Sequence, residues 1–339
     1  MDSAHLQTDK MIAQMERKIK KEYNRARMET QAKLNSYMQT VAKGAEEQRR
    51  LFEAGEITAE EYRDWMTRKI AMGKRWEELR DNLADDMNNA NNIARSIAEG
   101  YRPEVYALNH NFAIYQCEHD GRCSTVYQLY DKHTVERLLK KDQDLMPPPG
   151  KRLKREIREG KAARWNRQNL QSSLTQSILQ GDTIDEAAVR IANTVIVRNY
   201  NDAVRYARTM ITGAQNAGRQ DGYEYAEQLG IQLQKEWIAT LDDRTRASHA
   251  AIHGERVAVN EEFSNGLMYP GDPRGDPAEV YNCRCTMKGS VDGFDRNRVE
   301  YSPKMGDMDF EEWQKSRGVE DEGDDDENVG RRKNRNKQG

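Results

Sequence analysis

The chain is short of the residues from which large cores are built. Aromatic side chains make up 7% of its 339 positions and the apolar set as a whole 36%, against 33% charged, and the mean hydropathy is -1.03. Soluble domains typically carry about 25% charge, and one globule of this length would bury roughly three quarters of its unfolded surface. The composition therefore predicts long exposed helices around small cores. No run approaches the ~20 apolar residues that a membrane-spanning helix requires, and the first ten residues, MDSAHLQTDK, lack the apolar centre of a secretory signal. No membrane partner is expected. Cys117, Cys123, Cys283 and Cys285 are the four cysteines; they are too few for a disulfide scaffold, and a reducing compartment is the default. Also missing are a Walker loop, a G-x-G-x-x-G turn and a G-x-S-x-G elbow, which removes support for nucleotide-driven work and serine hydrolysis.

What is present is mostly helix-forming, and the length alone allows about two domains. Residues 8–53 read as one helix, with Ile12, Met15 and Ile19, then Leu34, Met38, Val41 and Ala45, recurring at helical steps among Lys, Arg, Glu and Gln. Thr58-Ala-Glu-Glu61 is a capping box. A second helix runs to about Ala98, where Tyr62, Trp65, Met72, Trp76, Leu79, Leu83, Ala90, Ile93 and Ile97 keep one heptad register. Residues 1–100 thus form a long antiparallel helical hairpin or coiled coil, closed by Gly100, Tyr101 and Pro103. Over 101–149, Phe112-Ala-Ile-Tyr-Gln-Cys117 and Ser124-Thr-Val-Tyr-Gln-Leu-Tyr130 around Glu118-His-Asp-Gly121 read as a β-hairpin, followed by a short helix and the Pro147-Pro148-Pro149-Gly150 linker. Residues 150–230 are helical with a basic start. Residues 231–292 mix strands, a short helix and a Gly/Pro loop into a compact α+β unit, and 293–339 read as a disordered charged tail. The fold class is mainly α with a small C-terminal α+β domain.

Several clusters carry potential chemistry. His249 and His253 are four apart on a helix and share a face; Cys283 and Cys285 are two apart in a strand and share one too. Should those faces meet, two imidazoles and two thiolates make a zinc set, although no C-x2-C knuckle is present and C-x-C thiols reach one ion only with strain. Asp242, Asp243, His249 and His253 are alternatively the ingredients of a metal-dependent nuclease. Against that, Asp243 stands where it would cap the helix beginning at Thr245, and Arg284 can pair with one of these acids. Cys117 and Cys123 flank a turn holding His119, three potential ligands but not a closed site. The basic run of Lys151, Arg152, Lys154, Arg155, Arg158, Lys161, Arg164 and Arg167, eight bases against two acids, could follow a phosphate backbone. So could the tail containing Arg331, Arg332 and Lys333. Just before that tail, Glu320–Glu327 holds seven acids in eight residues.

From Ala203 to Thr286 a series of motifs follows in order: Ala207-Arg-Thr209, Asn216-Ala-Gly218, Tyr223, Gly230, Trp237, Thr240-Leu-Asp-Asp-Arg-Thr-Arg246, His249, Gly254, Phe263, Gly271-Asp-Pro273 and Asn282-Cys-Arg-Cys285. This series resembles the phage Mu F-like head morphogenesis family, the minor head proteins of tailed bacteriophages. The resemblance implies a non-enzymatic structural protein present in few copies per virion. It implies the portal protein and capsid or scaffolding proteins as partners, and non-specific contact with packaged double-stranded DNA. The location it implies is the capsid interior, after assembly in the host cytoplasm. Trp237, Asp242, Asp243, Arg244, Thr245, His249, Gly254, Asn282, Cys283, Arg284 and Cys285 would then hold the shape of the domain, without catalysis and without a cofactor. Some family members carry Cys-x-x-Cys where this chain has Arg246 and His249, a departure that counts against zinc here. Others continue into an ADP-ribosyltransferase or toxin domain; about 50 residues follow Cys285, which leaves no room for one.

Overall fold

The computed structural model describes residues 2–71, 74–142, 145–147, 155–180 and 184–318. Helix α1 (Ser3–Glu53) begins at Asp2, whose carboxylate accepts from the His5 amide. It turns through Gly55 (φ 76°) into α2 (Ala59–Ala71), where Thr58 and Glu61 form the expected reciprocal cap. Helix α3 (Lys74–Gly121) then runs back along α1: Lys33 meets Asp86, Tyr23 meets Asn91, and Asn109 Nδ2 donates to Thr8 Oγ1 at 2.9 Å. The antiparallel hairpin is therefore closed within one chain. Its buried stripe is Leu79, Leu83, Met87, Ala90, Ala94 and Ala98, so Ile93 and Ile97 have rotated to the edge of the contact. A straight helix of 3.6 residues per turn drifts about 20° per heptad, which shifts the seam by one position over this length. Met38, Val41, Ala45 and Trp76 fall among side chains outside those described, and Met72 outside the described residues.

Two boundaries differ from the sequence reading. No hairpin forms at 112–130: α3 continues through Gly100 and Pro103 to Gly121, and only Cys123–Ser124 (β1) is extended. The segment from Val105 to Glu118 is buried on nearly every side, which erases the helical period and leaves its aromatic and β-branched residues looking like a strand. Packing of α3 on both sides outweighs the roughly 3 kcal/mol that an interior proline costs a helix. Asp120 and Gly121 end the helix, with Arg122 in the left-handed region (φ 47°). The second correction concerns the tail. Folded structure continues to Gly318 through β5 (Glu300–Tyr301), a 3-10 turn (Pro303–Asp307) and α10 (Phe310–Ser316). Its anchor is Glu118, fully buried, which accepts from Thr125 N, Thr125 Oγ1, Trp313 Nε1 and Arg317 at 2.6–2.8 Å. Phe310 and Trp313 pack edge and face against Phe112 and Tyr115. The acidic and basic blocks beyond residue 318, with Arg331, Arg332 and Lys333, lie outside the described residues.

After α4 (Lys132–Lys141), capped by Asp131, come α5 (Arg155–Gln180), α6 (Ile184–Ile191), a π turn (Ala192–Ile196) and α7 (Val197–Leu229), which ends at Gly230 (φ 109°). Helix α7 lies parallel to α3 at close range. A Cβ on Gly218 would stand 2.5 Å from the Tyr106 carbonyl oxygen, and one on Gly222 would stand 2.7 Å from the Ala113 Cβ. The sheet has the order β3 (Arg256–Ala258), β2 (Ile231–Ile238), β4 (Thr286–Phe294), all antiparallel, with Lys235 opposite Gly289 and Trp237 opposite Met287. It packs across α3 and α7, where Gln116 Oε1 accepts from Gly289 N at 3.0 Å. One continuous apolar cluster joins the N-terminal hairpin, α7 and the sheet, so residues 231–292 do not stand apart from the helices. None of the described helices is long and apolar enough to cross a membrane.

Candidate functional site

The motif residues gather at the open end of β2. Beyond this strand, Thr240–Arg246 folds into a turn held from inside: Asp242 Oδ1 accepts from the Arg244 amide (3.0 Å), Thr245 Oγ1 donates to the Thr240 carbonyl, and Thr240 Oγ1 donates to the Arg284 carbonyl at 2.7 Å. Arg284 grips Asp242 with both terminal nitrogens at 2.6 Å, and this guanidinium holds the Asp242 carboxyl well below the usual carboxylate range. The one-turn helix α8 (Ala247–Ala251) follows with Arg246 at its N-cap and no side-chain cap. Asp243 is therefore not the cap expected from the sequence; it is exposed, and Asp242 organises the turn. Gly254 (φ 84°) closes the loop by donating to the Trp237 carbonyl at 2.8 Å.

His249 points from α8 into the core and is 1% exposed. Trp237, fully buried, presents its ring edge-on to His249 with centroids 5.1 Å apart, and likewise to Phe263. Asn282, in the left-handed region (φ 57°), is pinned by its amide to Thr209 Oγ1 at 3.0 Å, and this bend turns both following thiols inward. His249 Nδ1 lies 3.4 Å from Cys285 Sγ and 3.7 Å from Cys283 Sγ. On the other side of the ring, Nε2 meets Glu279 Oε2 at 2.8 Å, a charge contact rather than an aligned hydrogen bond. Glu279 belongs to α9 (Pro277–Val280) and also accepts from Ser248 Oγ at 2.9 Å. The Cys283 thiol, bonded to Cys285, pulls the Cys285 thiol below its usual value against the cost of burial, with help from His249; Cys283 as the donor is pushed up.

The structure thus brings together three of the four zinc candidates. His249, Cys283 and Cys285 are the described residues whose donor atoms lie within 4.8 Å of one another. His253 is exposed and accepts from the Ala239 amide at 3.1 Å. The nuclease set is not assembled: Asp242, Asp243 and His253 are at the surface, and Asp242 is bound to Arg284, while His249 faces inward. Of the nucleic-acid candidates, Lys151, Arg152 and Lys154 lie outside the described residues, as does the side chain of Arg155, and Arg158 is half-buried on α5. Arg158 lines a cavity of about 240 Å³ with Arg95, Arg198 and Trp165, where Arg198 stacks on the indole.

Sequence reasoning assigned no role to the polar residues that lock this site to the helices, although Asn216 stands in the Asn216-Ala-Gly218 motif. Asn216 Nδ2 donates to the carbonyls of Thr212, Pro270 and Cys285 at 3.0–3.1 Å. Arg219 has no exposed surface and donates to Asn109 Oδ1, the Met287 carbonyl and both oxygens of Asp2. Nothing in the sequence marked it, since its neighbours on that helix face include the polar Thr212, Gln215 and Asn216. Nothing marked Glu279 either.

Comparison with known proteins places this region. Residues 168–288 match the family model described as Phage Mu protein F like protein. Over 131 residues, 37% of this chain, the sequence is 29% identical to Minor head protein GP7 of Bacillus phage SPP1, covering 41% of that protein. Over 129 residues, 38% of this chain, it is 37% identical to NAD(+)--arginine ADP-ribosyltransferase EFV of Enterococcus faecalis (strain ATCC 700802 / V583), covering 26% of that protein. The chain thus spans less than half the length of either relative. No solved structure matches significantly. The matched segment contains Trp237, the Asp242–Arg284 turn, His249 and the Cys283/Cys285 pair, and over residues 168–288 the chain is similar to Phage Mu protein F like protein.

Proposed function

We propose that the protein is a structural minor head protein of a tailed phage, built into the head at or near the portal and facing the packaged DNA. The observation that carries this reading is the Mu F-like match over 168–288, shared with a phage minor head protein. The site agrees with it in physical terms. The Asp242–Arg284 pair ties two loops, Asn216 ties the loop carrying Cys285 to α7, and Arg219 ties α7 to β4. Such networks fix shape. The interlocked helices add a long surface on which a larger assembly can seat.

Portal and capsid proteins are the partners proposed, and the basic segment from Lys151 to Arg167 the surface for DNA. Co-expressed with its portal protein, the chain co-purifies with the portal oligomer, and it is found in purified procapsids and virions; absence from both particles overturns the reading. Contact with DNA is electrostatic. Removing Lys151, Arg152, Lys154 and Arg155 together makes the slope of log K against log salt shallower, by about 0.9 for each phosphate those side chains neutralise.

The relative named as an ADP-ribosyltransferase makes that activity the rival to test. Incubation with NAD⁺ and an arginine acceptor releases no nicotinamide if the structural reading is right. Likewise, plasmid DNA stays intact with Mg²⁺, Mn²⁺ or Zn²⁺.

A further inference from the structure

We propose that His249 Nδ1, Cys283 Sγ and Cys285 Sγ hold one zinc ion, that Glu279 fixes the imidazole from behind, and that the ion fastens α8 to the loop before β4. The argument begins with spacing. Zinc takes sulfur at about 2.3 Å and imidazole nitrogen at about 2.0–2.1 Å in tetrahedral geometry, which sets an S···N edge of about 3.5 Å. The two edges here are 3.4 and 3.7 Å. Cys283 and Cys285 follow the left-handed bend at Asn282 and lie before β4, which starts at Thr286, so the spacing of a strand is not imposed on the two thiols.

The chemistry of the imidazole points the same way. Glu279 Oε2 stands 2.8 Å from Nε2, close enough to accept a hydrogen bond from a proton on that nitrogen after a small rotation into line. Nδ1 is then left with a lone pair, and both sulfurs approach this single atom. One nitrogen satisfies one S–H donor; a shared cation satisfies all three groups at once. Carboxylate behind histidine behind metal is the usual supporting arrangement of zinc sites. All three ligands are at most 3% exposed, so a bound ion is shielded from chelation by solvent. Among the described residues no further His, Cys, Asp or Glu atom completes the group, and the fourth corner is left to water. Coordination releases the protons of both thiols to solvent.

The test uses the full chain, purified with reductant from zinc-supplemented cells and desalted. Elemental analysis finds about one zinc per chain in the unmodified protein and in the Cys117→Ser/Cys123→Ser variant, and at least about tenfold less in Cys283→Ser/Cys285→Ser. Because loss of two buried thiols can disturb folding, the unmodified chain is also stripped with a chelator and titrated with Co²⁺. A thiolate-to-cobalt charge-transfer band and strong visible d–d bands appear and are displaced by Zn²⁺. Glu279→Gln keeps those bands and weakens zinc affinity about 10–100-fold. Absence of both zinc and the cobalt bands, copper or iron in place of zinc, or bands that survive in the Cys283→Ser/Cys285→Ser variant overturns the assignment. Unchanged affinity in Glu279→Gln overturns the part given to Glu279. None of this depends on the phage-head reading, since metal content is measured whether or not the chain enters a particle.

Discussion

Lys235 stands on the inward face of β2 between Leu233 and Trp237, with no exposed surface. Its ammonium donates to the Met268 carbonyl (2.8 Å) and Gln220 Oε1 (3.1 Å) and lies over the Phe263 ring. Burial pulls it down to about 8, opposed in part by Glu224, Asp272, Glu261 and Glu262. A lysine in the unfolded chain titrates near 10.4. Between about pH 8 and 10.4 the unfolded chain therefore binds the proton that the folded chain has released, and stability from this group rises with pH. Below pH 8 the folded protein bears the whole cost of the buried charge. Urea midpoints of the unmodified protein minus those of Lys235→Met should increase from pH 8 to 10; a constant difference contradicts the assignment. Glu118 is the opposite case, a buried carboxylate with every bond filled. Glu118→Ala strands the Arg317 guanidinium and the Trp313 indole N–H, and breaking a buried pair of this kind costs about 3–5 kcal/mol, read as a lower urea midpoint. Neither role was legible in the sequence. Alternation puts Lys235 on the inner face with Leu233 and Trp237, but nothing marked the carbonyl and amide oxygens that receive its ammonium, and the Trp313 and Arg317 partners of Glu118 lie almost 200 residues away. Trp237, His249 and the Cys283/Cys285 pair were legible because their types and spacing already carry chemistry. Their convergence was only half so, since it depends on the positive φ of Asn282.

At the scale of elements, α3 and α7 meet closely at Gly218 and Gly222, where an added Cβ would stand 2.5 Å from the Tyr106 carbonyl oxygen and 2.7 Å from the Ala113 Cβ. Gly218→Ala drives a methyl group against the Tyr106 carbonyl and the His110 amide and should lower stability by about 1–3 kcal/mol, the usual cost of overpacking. Gly100→Ala is the control on the same helix pair: it is helical and exposed, and an added Cβ meets nothing within 4 Å. That change should stabilise by about 0.5–1 kcal/mol. Thermal unfolding of the two variants must move in opposite directions. The contrast also explains which elements the sequence discloses. A half-exposed helix such as α1 advertises its period through alternating charge and apolar residues. The stretch of α3 from Val105 to Glu118 is enclosed by α1, α7 and the sheet, so no face has to be polar and no period survives. Sequence reasoning turned its β-branched and aromatic residues into strands for that reason. The same reasoning located Gly230 as the end of α7 correctly, because a left-handed stop leaves a local mark that does not depend on tertiary partners.

Across the whole molecule, helix α3 is the common partner. The N-terminal hairpin, α7, the sheet and the closing segment to Gly318 all rest on it. Ending the chain at Met308 removes Phe310, Trp313 and Arg317 together and uncovers Phe112 and Tyr115 beside a Glu118 left with Thr125 alone. The shortened protein should expose an apolar patch that binds a hydrophobic dye and should unfold at lower urea than the full chain; unchanged values would show that the closing segment is an accessory. The overall organisation was the least legible scale. Composition predicted long exposed helices around small cores, and it held no trace of the buried hydrogen bonds from Asn109, Asn216 and Arg219 that join helices and sheet.

The clasp of Arg219 on Asp2 has a temporal side. The ribosome adds the carboxylate 217 residues before its guanidinium, and Arg317 follows Glu118 by 199 residues. Until then the nascent hairpin carries polar groups awaiting partners that have yet to be synthesised. A copy interrupted before Arg317 keeps Glu118 without its guanidinium, so the closing segment seats only once that residue has been made.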